Sequence, residues 1–190
     1  SFLQFSPDSK YIITEVPDKD ESKLWELKSG KLIHTLKGRS CQYIDSRFVA
    51  IIQEGNTELW EVKSGRLVTT LEGSRAQFSP DGKIIATFGD NNNKIILRDA
   101  NSEKLIKTLE SEDWIYFDSF KFSPNSNKIV ATVTSSTSKH GGLWDIKTGD
   151  FFYLDGDVVQ FSPDSKYILS AIDARPSIYD TESGELIHEL

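Results

Sequence analysis

Apolar residues along the chain fall in short runs, not in the spaced stripe of a helix. No apolar i, i+3, i+4, i+7 pattern outlasts one turn. Stretches such as Lys83 to Phe88 and Lys166 to Ile172 instead carry Ile and Ala at strand length. Polar turn chemistry separates the runs. In Ser79-Pro80-Asp81-Gly82 the proline presets φ, the aspartate can bond back to the backbone, and the glycine tolerates positive φ. Short strands with turn signals this dense predict an all-β sandwich, barrel or propeller.

The runs recur as a repeat. Phe5-Ser6-Pro7-Asp8-Ser9-Lys10 returns as Phe78-Ser79-Pro80-Asp81-Gly82-Lys83, as Phe122-Ser123-Pro124-Asn125 and as Phe161-Ser162-Pro163-Asp164-Ser165-Lys166. Tyr43 to Phe48 is a weaker copy, one residue short and without proline. A second phrase follows each: Leu24-Trp25-Glu26, Leu59-Trp60-Glu61, Leu97-Arg98-Asp99, Leu143-Trp144-Asp145 and Ile178-Tyr179-Asp180. The Trp-type positions 25, 60, 98, 144 and 179 stand 35, 38, 46 and 35 residues apart. A period of this size selects the β-propeller, in which each unit is one four-stranded antiparallel blade. Five blades are expected, at about 1–36, 37–71, 72–109, 110–154 and 155–190, as a single domain.

The two phrases together resemble the WD40-repeat family over the whole chain. The resemblance implies a disc whose loops and central channel bind peptides or protein domains without catalysis. Family members usually carry Gly-His after the fourth strand, the histidine bonding an aspartate in the turn before the Trp strand. The matching pairs here are Gly38-Arg39, Gly73-Ser74, Ser111-Glu112 and Gly156-Asp157, with no histidine. The aspartate position is matched only by Asp173, with Glu54 nearby in type. The buried hydrogen-bond network of the family is therefore expected to be missing, leaving stability to packing between blades.

Composition narrows the function classes. The net charge is −7 with both signs mixed and no run of five like charges, which argues against nucleic-acid binding. There is no apolar stretch of about 18 residues to span a membrane, and no leader segment is visible. One cysteine, Cys41, suits a reducing compartment, and a cytoplasmic location is expected. The chain starts Ser-Phe-Leu without Met, which favours a piece of a longer polypeptide. Five blades then either close alone or form an arc of a larger ring.

Catalytic signals are sparse, and neither a catalytic residue, a metal site nor a cofactor is expected. His34 and His188 share one repeat position, and His140 stands alone in a Lys-His-Gly-Gly loop. A glutamine precedes the Phe position in four units, as Gln4, Gln42, Gln77 and Gln160; it lines a channel or is a structural amide. The crossing from the fourth strand to the next blade is longest between Leu109 and Phe122, 13 residues against 7 elsewhere. The same blade has the longest loop before its Trp strand, Thr134 to Gly142, on the same face. Exposed aromatic and arginine residues most often anchor interfaces. The candidate partner-binding residues are therefore Trp114, Tyr116 and Asp118 in the long crossing, with Arg39, Arg75 and Arg175 on the same face. Trp114 could equally pack into its own blade, and Phe117 reads as core. The expected partner is a protein or peptide, a basic one by charge. The rivals are an enzyme or small-ligand binder at the channel mouth, and a sensor segment of a larger signalling protein.

Overall fold

The Ser-Pro-Asp turns set the repeating unit. In each, the serine hydroxyl accepts the N–H that opens the second strand: Tyr11 on Ser6 (2.9 Å), Ile84 on Ser79 (3.0 Å), Lys128 on Ser123 (2.9 Å) and Tyr167 on Ser162 (3.0 Å). The residue three places after the serine takes the left-handed conformation, at Ser9, Gly82, Ser126 and Ser165.

The computed structural model describes residues 3–38, 40–53, 55–110, 116–134, 139–157, 159–172 and 175–190. Twenty strands make five four-stranded antiparallel sheets. The first holds β1 (Leu3–Phe5), β2 (Tyr11–Val16), β3 (Glu21–Glu26) and β4 (Leu32–Lys37). The second holds β5 (Cys41–Tyr43), β6 (Phe48–Gln53), β7 (Asn56–Glu61) and β8 (Leu67–Glu72). The third holds β9 (Ser74–Phe78), β10 (Ile84–Phe88), β11 (Lys94–Asp99) and β12 (Leu105–Glu110). The fourth holds β13 (Tyr116–Phe122), β14 (Lys128–Thr134), β15 (Lys139–Asp145) and β16 (Phe151–Leu154). The fifth holds β17 (Gln160–Phe161), β18 (Tyr167–Ile172), β19 (Arg175–Asp180) and β20 (Leu186–Glu189). Each sheet runs in chain order, the up-and-down order of a propeller blade. Among the described residues there is no α-helix, and none long and apolar enough to cross a membrane.

The chain divides into two compact units, Ser1–Phe78 and Ser79–Leu190. In the first, Ile13, Leu24 and Leu36 of one blade pack on Cys41, Tyr43, Val49 and Val62 of the next. In the second, Phe88 stacks on Phe117 (6.3 Å) and meets Phe120 edge-on (4.9 Å), while Phe117 meets Trp144 at 5.5 Å. Phe117 is fully buried, as its repeat context suggests. A second layer joins Val130, Leu143 and Leu154 to Phe161, Ile168 and Tyr179.

Side-chain hydroxyls add to the packing, bonding backbone carbonyls at or near the Gly pairs that end the fourth strands. Ser22 donates to the Gly38 carbonyl (2.8 Å), Thr57 to Gly73 (2.7 Å), Thr132 to Asp157 (2.6 Å), and Ser170 to Asp155. A hydroxyl on a neighbouring strand thus satisfies each of these acceptors.

The fourth blade departs from its neighbours in two ways. Its pre-Trp loop is shorter than the expected Thr134 to Gly142, because β15 begins at Lys139 and pairs up to Thr134. Gly141 and Gly142 belong in the strand: a Cβ at Gly142 would strike the Trp144 ring, and one at Gly141 the Leu154 Cβ. In the other four blades the fourth strand carries a bulge opposite the Trp position, between Leu24 and Trp25, Leu59 and Trp60, Leu97 and Arg98, and Ile178 and Tyr179. In the fourth, Leu143 pairs Phe152 and Trp144 pairs Phe151 without a shift. The strand from Gly149 to Leu154 is one residue shorter than Gly30 to Leu36 or Gly65 to Leu71, which removes the bulged residue.

Candidate functional site

The long crossing into the fourth blade ends in β13, and β13 is bulged. Phe117 pairs with Val133 and Ser119 with Thr132, so Asp118 is the extra residue. The bulge lets Phe117 and Phe120, three apart, both face the core. It also turns Asp118 outward, a common use of bulges beside binding sites. Its carboxylate accepts from the Thr134 hydroxyl (2.7 Å) and the Lys139 ammonium (3.0 Å), both through Oδ2. Tyr116, Thr134 and Lys139 are in register across three strands, so all four side chains belong to one end of the blade.

Tyr116 is 52% exposed, the first described residue after the long crossing. The hydrogen bond to Asp118, then the charge of Asp118, raise the Lys139 pKa above the ordinary lysine value. The pair is open to solvent on both sides, so it fixes orientation more than it adds stability. Chemically, the blade end offers an aromatic side chain beside a carboxylate that holds a solvent-exposed ammonium and a hydroxyl.

The remaining predicted residues are not gathered there. Trp114 and Arg39 lie outside the described residues. Arg75 lies within β9, at a left-handed φ of 53°, and belongs to the first unit. Arg175 opens β19, paired with Ile172, and is exposed. Among the described residues no hydrogen bond or ion pair ties it to Asp118 or Lys139.

Two of the recurrent glutamines bind backbone. The Gln4 carbonyl oxygen accepts the Tyr43 N–H (2.9 Å), and the Gln42 amide donates to the Ala76 carbonyl (2.7 Å). His34 sits against the Lys63 carbonyl at 3.3 Å. Burial, with the charge of Glu15 nearby, pushes the Cys41 thiol up to about 11, and burial raises Tyr43 further still. No group of three or more His, Cys, Asp or Glu converges as a metal site would among the described residues.

Sequence reasoning missed Thr134 and Lys139, which it placed in a loop, and also Lys128. Lys128 stands where the other blades have Tyr11, Phe48, Ile84 and Tyr167, and its side chain is only 4% exposed. It pairs with Asp145 (3.2 Å) across the strands and with exposed Glu182 of the fifth blade (3.4 Å). The signal was available: a lysine at a repeat position that none of the other four units fills with a charge.

These five sheets define the chain as an all-β protein of propeller blades. No family model matches the sequence, and no curated protein matches it. Among solved structures, 954 chains match, so the likeness is to a widely used architecture. One is hydrazine synthase of Kuenenia stuttgartiensis, at a TM-score of 0.68 and 17% identity over 96% of this chain. This chain spans 63% of that one, and at such identity the match speaks for the fold alone.

Proposed function

We propose that the chain is a non-enzymatic interaction module of the WD40 kind, cytoplasmic, which binds a peptide or protein partner at the loop end of the fourth blade. The observation that carries this reading is Tyr116, a half-exposed aromatic beside a carboxylate that a bulge turns outward. An aromatic of this kind gives contact area at little cost in side-chain entropy. Asp118 supplies direction. A basic side chain of the partner exchanges with Lys139 for the same carboxylate, in keeping with the net charge of −7.

The test is a peptide array probed with the chain, followed by titration of the best binders. Tyr116→Ala is expected to weaken binding about tenfold or more, in the range of an interface anchor. Asp118→Asn is expected to remove the preference for basic peptides. Binders that ignore both substitutions refute the site, and turnover of a generic ester panel would refute the non-enzymatic reading.

A further inference from the structure

The outer edge of a blade is a row of backbone donors and acceptors that another strand can pair with. Natural sheets blunt such edges with bulges and charges. Four outer strands here have both. β4, β8, β12 and β20 are bulged, and each contains a charged residue, at Lys37, Glu72, Lys107 and Glu189. β16 has neither: it pairs with β15 residue for residue, and Phe151-Phe152-Tyr153-Leu154 is uncharged.

The register says which of its groups are free to pair. The Asp145 N–H donates to the Asp150 carbonyl (2.9–3.0 Å is the usual range; here 3.0 Å). Antiparallel pairing alternates, so the backbone groups of Phe152 and Leu154 face β15 and those of Phe151 and Tyr153 face away. Among the described residues β16 pairs with no strand but β15. Packing between blades does not use the edge either: Phe151 packs toward the third blade and Phe152 toward the fifth. Tyr153 is 60% exposed and meets Phe151 edge-on (4.5 Å). Beside Phe151 runs a groove of about 450 Å³, lined by Lys107, Thr108 and Glu110 of β12 and by Trp144. Both ends of the edge are acidic, with Asp150 before it and Asp155 after it, each exposed.

We propose that β16 is a docking edge for an extended peptide of a partner protein, which joins the fourth blade as a fifth strand. The partner segment is apolar at alternate positions and carries a lysine or arginine at each end. Its main chain pairs with the outward groups of Phe151 and Tyr153, and its alternate side chains enter the groove beside β12. Its basic ends meet Asp150 and Asp155. A second copy of β16 fits worse, because antiparallel alignment of the two strands brings Asp150 of one beside Asp155 of the other at both ends. Tyr116 and Asp118 lie on the inner strand of the same blade, so the outer edge is a different surface and neither reading depends on the other.

The test is fluorescence anisotropy with a set of labelled heptapeptides, lysine at each end and valine, leucine, phenylalanine or tyrosine at alternate positions. Saturable binding of some of the set is expected. Methylating the peptide nitrogens that face β16 blocks hydrogen bonds without altering the protein, and should weaken binding about tenfold or more. Exchanging the terminal lysines for glutamates should weaken it about fivefold or more, and less so at high salt. Tyr153→Pro removes an outward N–H and no ladder bond, so the blade is expected to persist, as circular dichroism would check, while binding is lost. Asp150→Lys with Asp155→Lys is expected to turn the preference toward the glutamate-ended peptides. The assignment is overturned if no peptide binds, if methylation leaves affinity unchanged, or if the charge preference survives the double substitution. Binding that Tyr116→Ala abolishes and Tyr153→Pro leaves intact puts the peptide on the inner-strand site and overturns it too. So does a chain that binds no peptide but self-associates in sedimentation velocity until Tyr153→Pro makes it monomeric: the edge then takes a second copy.

Discussion

Lys128 gives the sharpest test of how the second unit is held. Its ammonium lies 3.2 Å from Asp145, with its side chain almost wholly buried. At an effective dielectric of about 20 the attraction is roughly 5 kcal/mol. Taking the ions out of water costs several kcal/mol each, which offsets most of that gain. Lys128→Met removes both the attraction and the desolvation cost. The position is apolar in the other blades, so stability should change by no more than about 1 kcal/mol, in either direction. Asp145→Asn removes the attraction and leaves the ammonium buried. Its side-chain oxygen still accepts the Lys147 and Thr148 N–H groups, so the turn is kept. A fully buried pair broken this way loses roughly 3–5 kcal/mol. Asp145 is partly exposed and Glu182 remains within 3.4 Å, so about 2–3 kcal/mol is expected. Urea unfolding at pH 7, followed by circular dichroism, reads both. If Lys128→Met costs as much as Asp145→Asn, the pair is a source of net stability and the reasoning fails.

Phe117→Ala should cost about 3–5 kcal/mol, since it empties a fully buried site against Phe88 and Trp144; a loss under 1 kcal/mol in thermal unfolding would show that the neighbours collapse into it. Cys41, buried and with its thiol pushed up to about 11, should react with a disulfide reagent at pH 8 only as the protein unfolds; rapid labelling of the native chain would contradict its burial. The turn carboxylates Asp8, Asp81 and Asp164 are held below their ordinary pKa first by the hydroxyls of Ser6, Ser79 and Ser162. Depressed acids stabilise the fold above the ordinary carboxylate range and lose that contribution as pH falls through the lowered values, so stability should decline below about pH 4, and less steeply in a Ser6→Ala, Ser79→Ala, Ser162→Ala triple variant.

The blades were legible because their determinants are local. Phe-Ser-Pro-Asp fixes a turn, and the Trp-type residue 17 to 22 positions after the Phe position marks the third strand, so all five sheets could be placed from spacing. What escaped the sequence depended on partners far along the chain. Gly141 and Gly142 look like loop residues until the Trp144 and Leu154 side chains are seen to cover them. Asp118 looks like one polar residue in a crossing; its outward turn exists because Phe117 and Phe120 must both reach the core. The hydroxyl bonds of Ser22 and Thr57 were missed because each reaches a carbonyl 16 residues further on, a distance that no local pattern spans.

The missing bulge in the fourth blade bears on solubility. A bulge twists an outer strand and spoils it as a template for another chain. Four outer strands have that protection; β16 lies in plain register and reads Phe151-Phe152-Tyr153-Leu154, uncharged, free of proline and rich in strand-forming aromatics. Such a segment on an edge is a seed for cross-β growth. The shortening that straightens this strand leaves its edge without the twist that the bulge gives the other four outer strands.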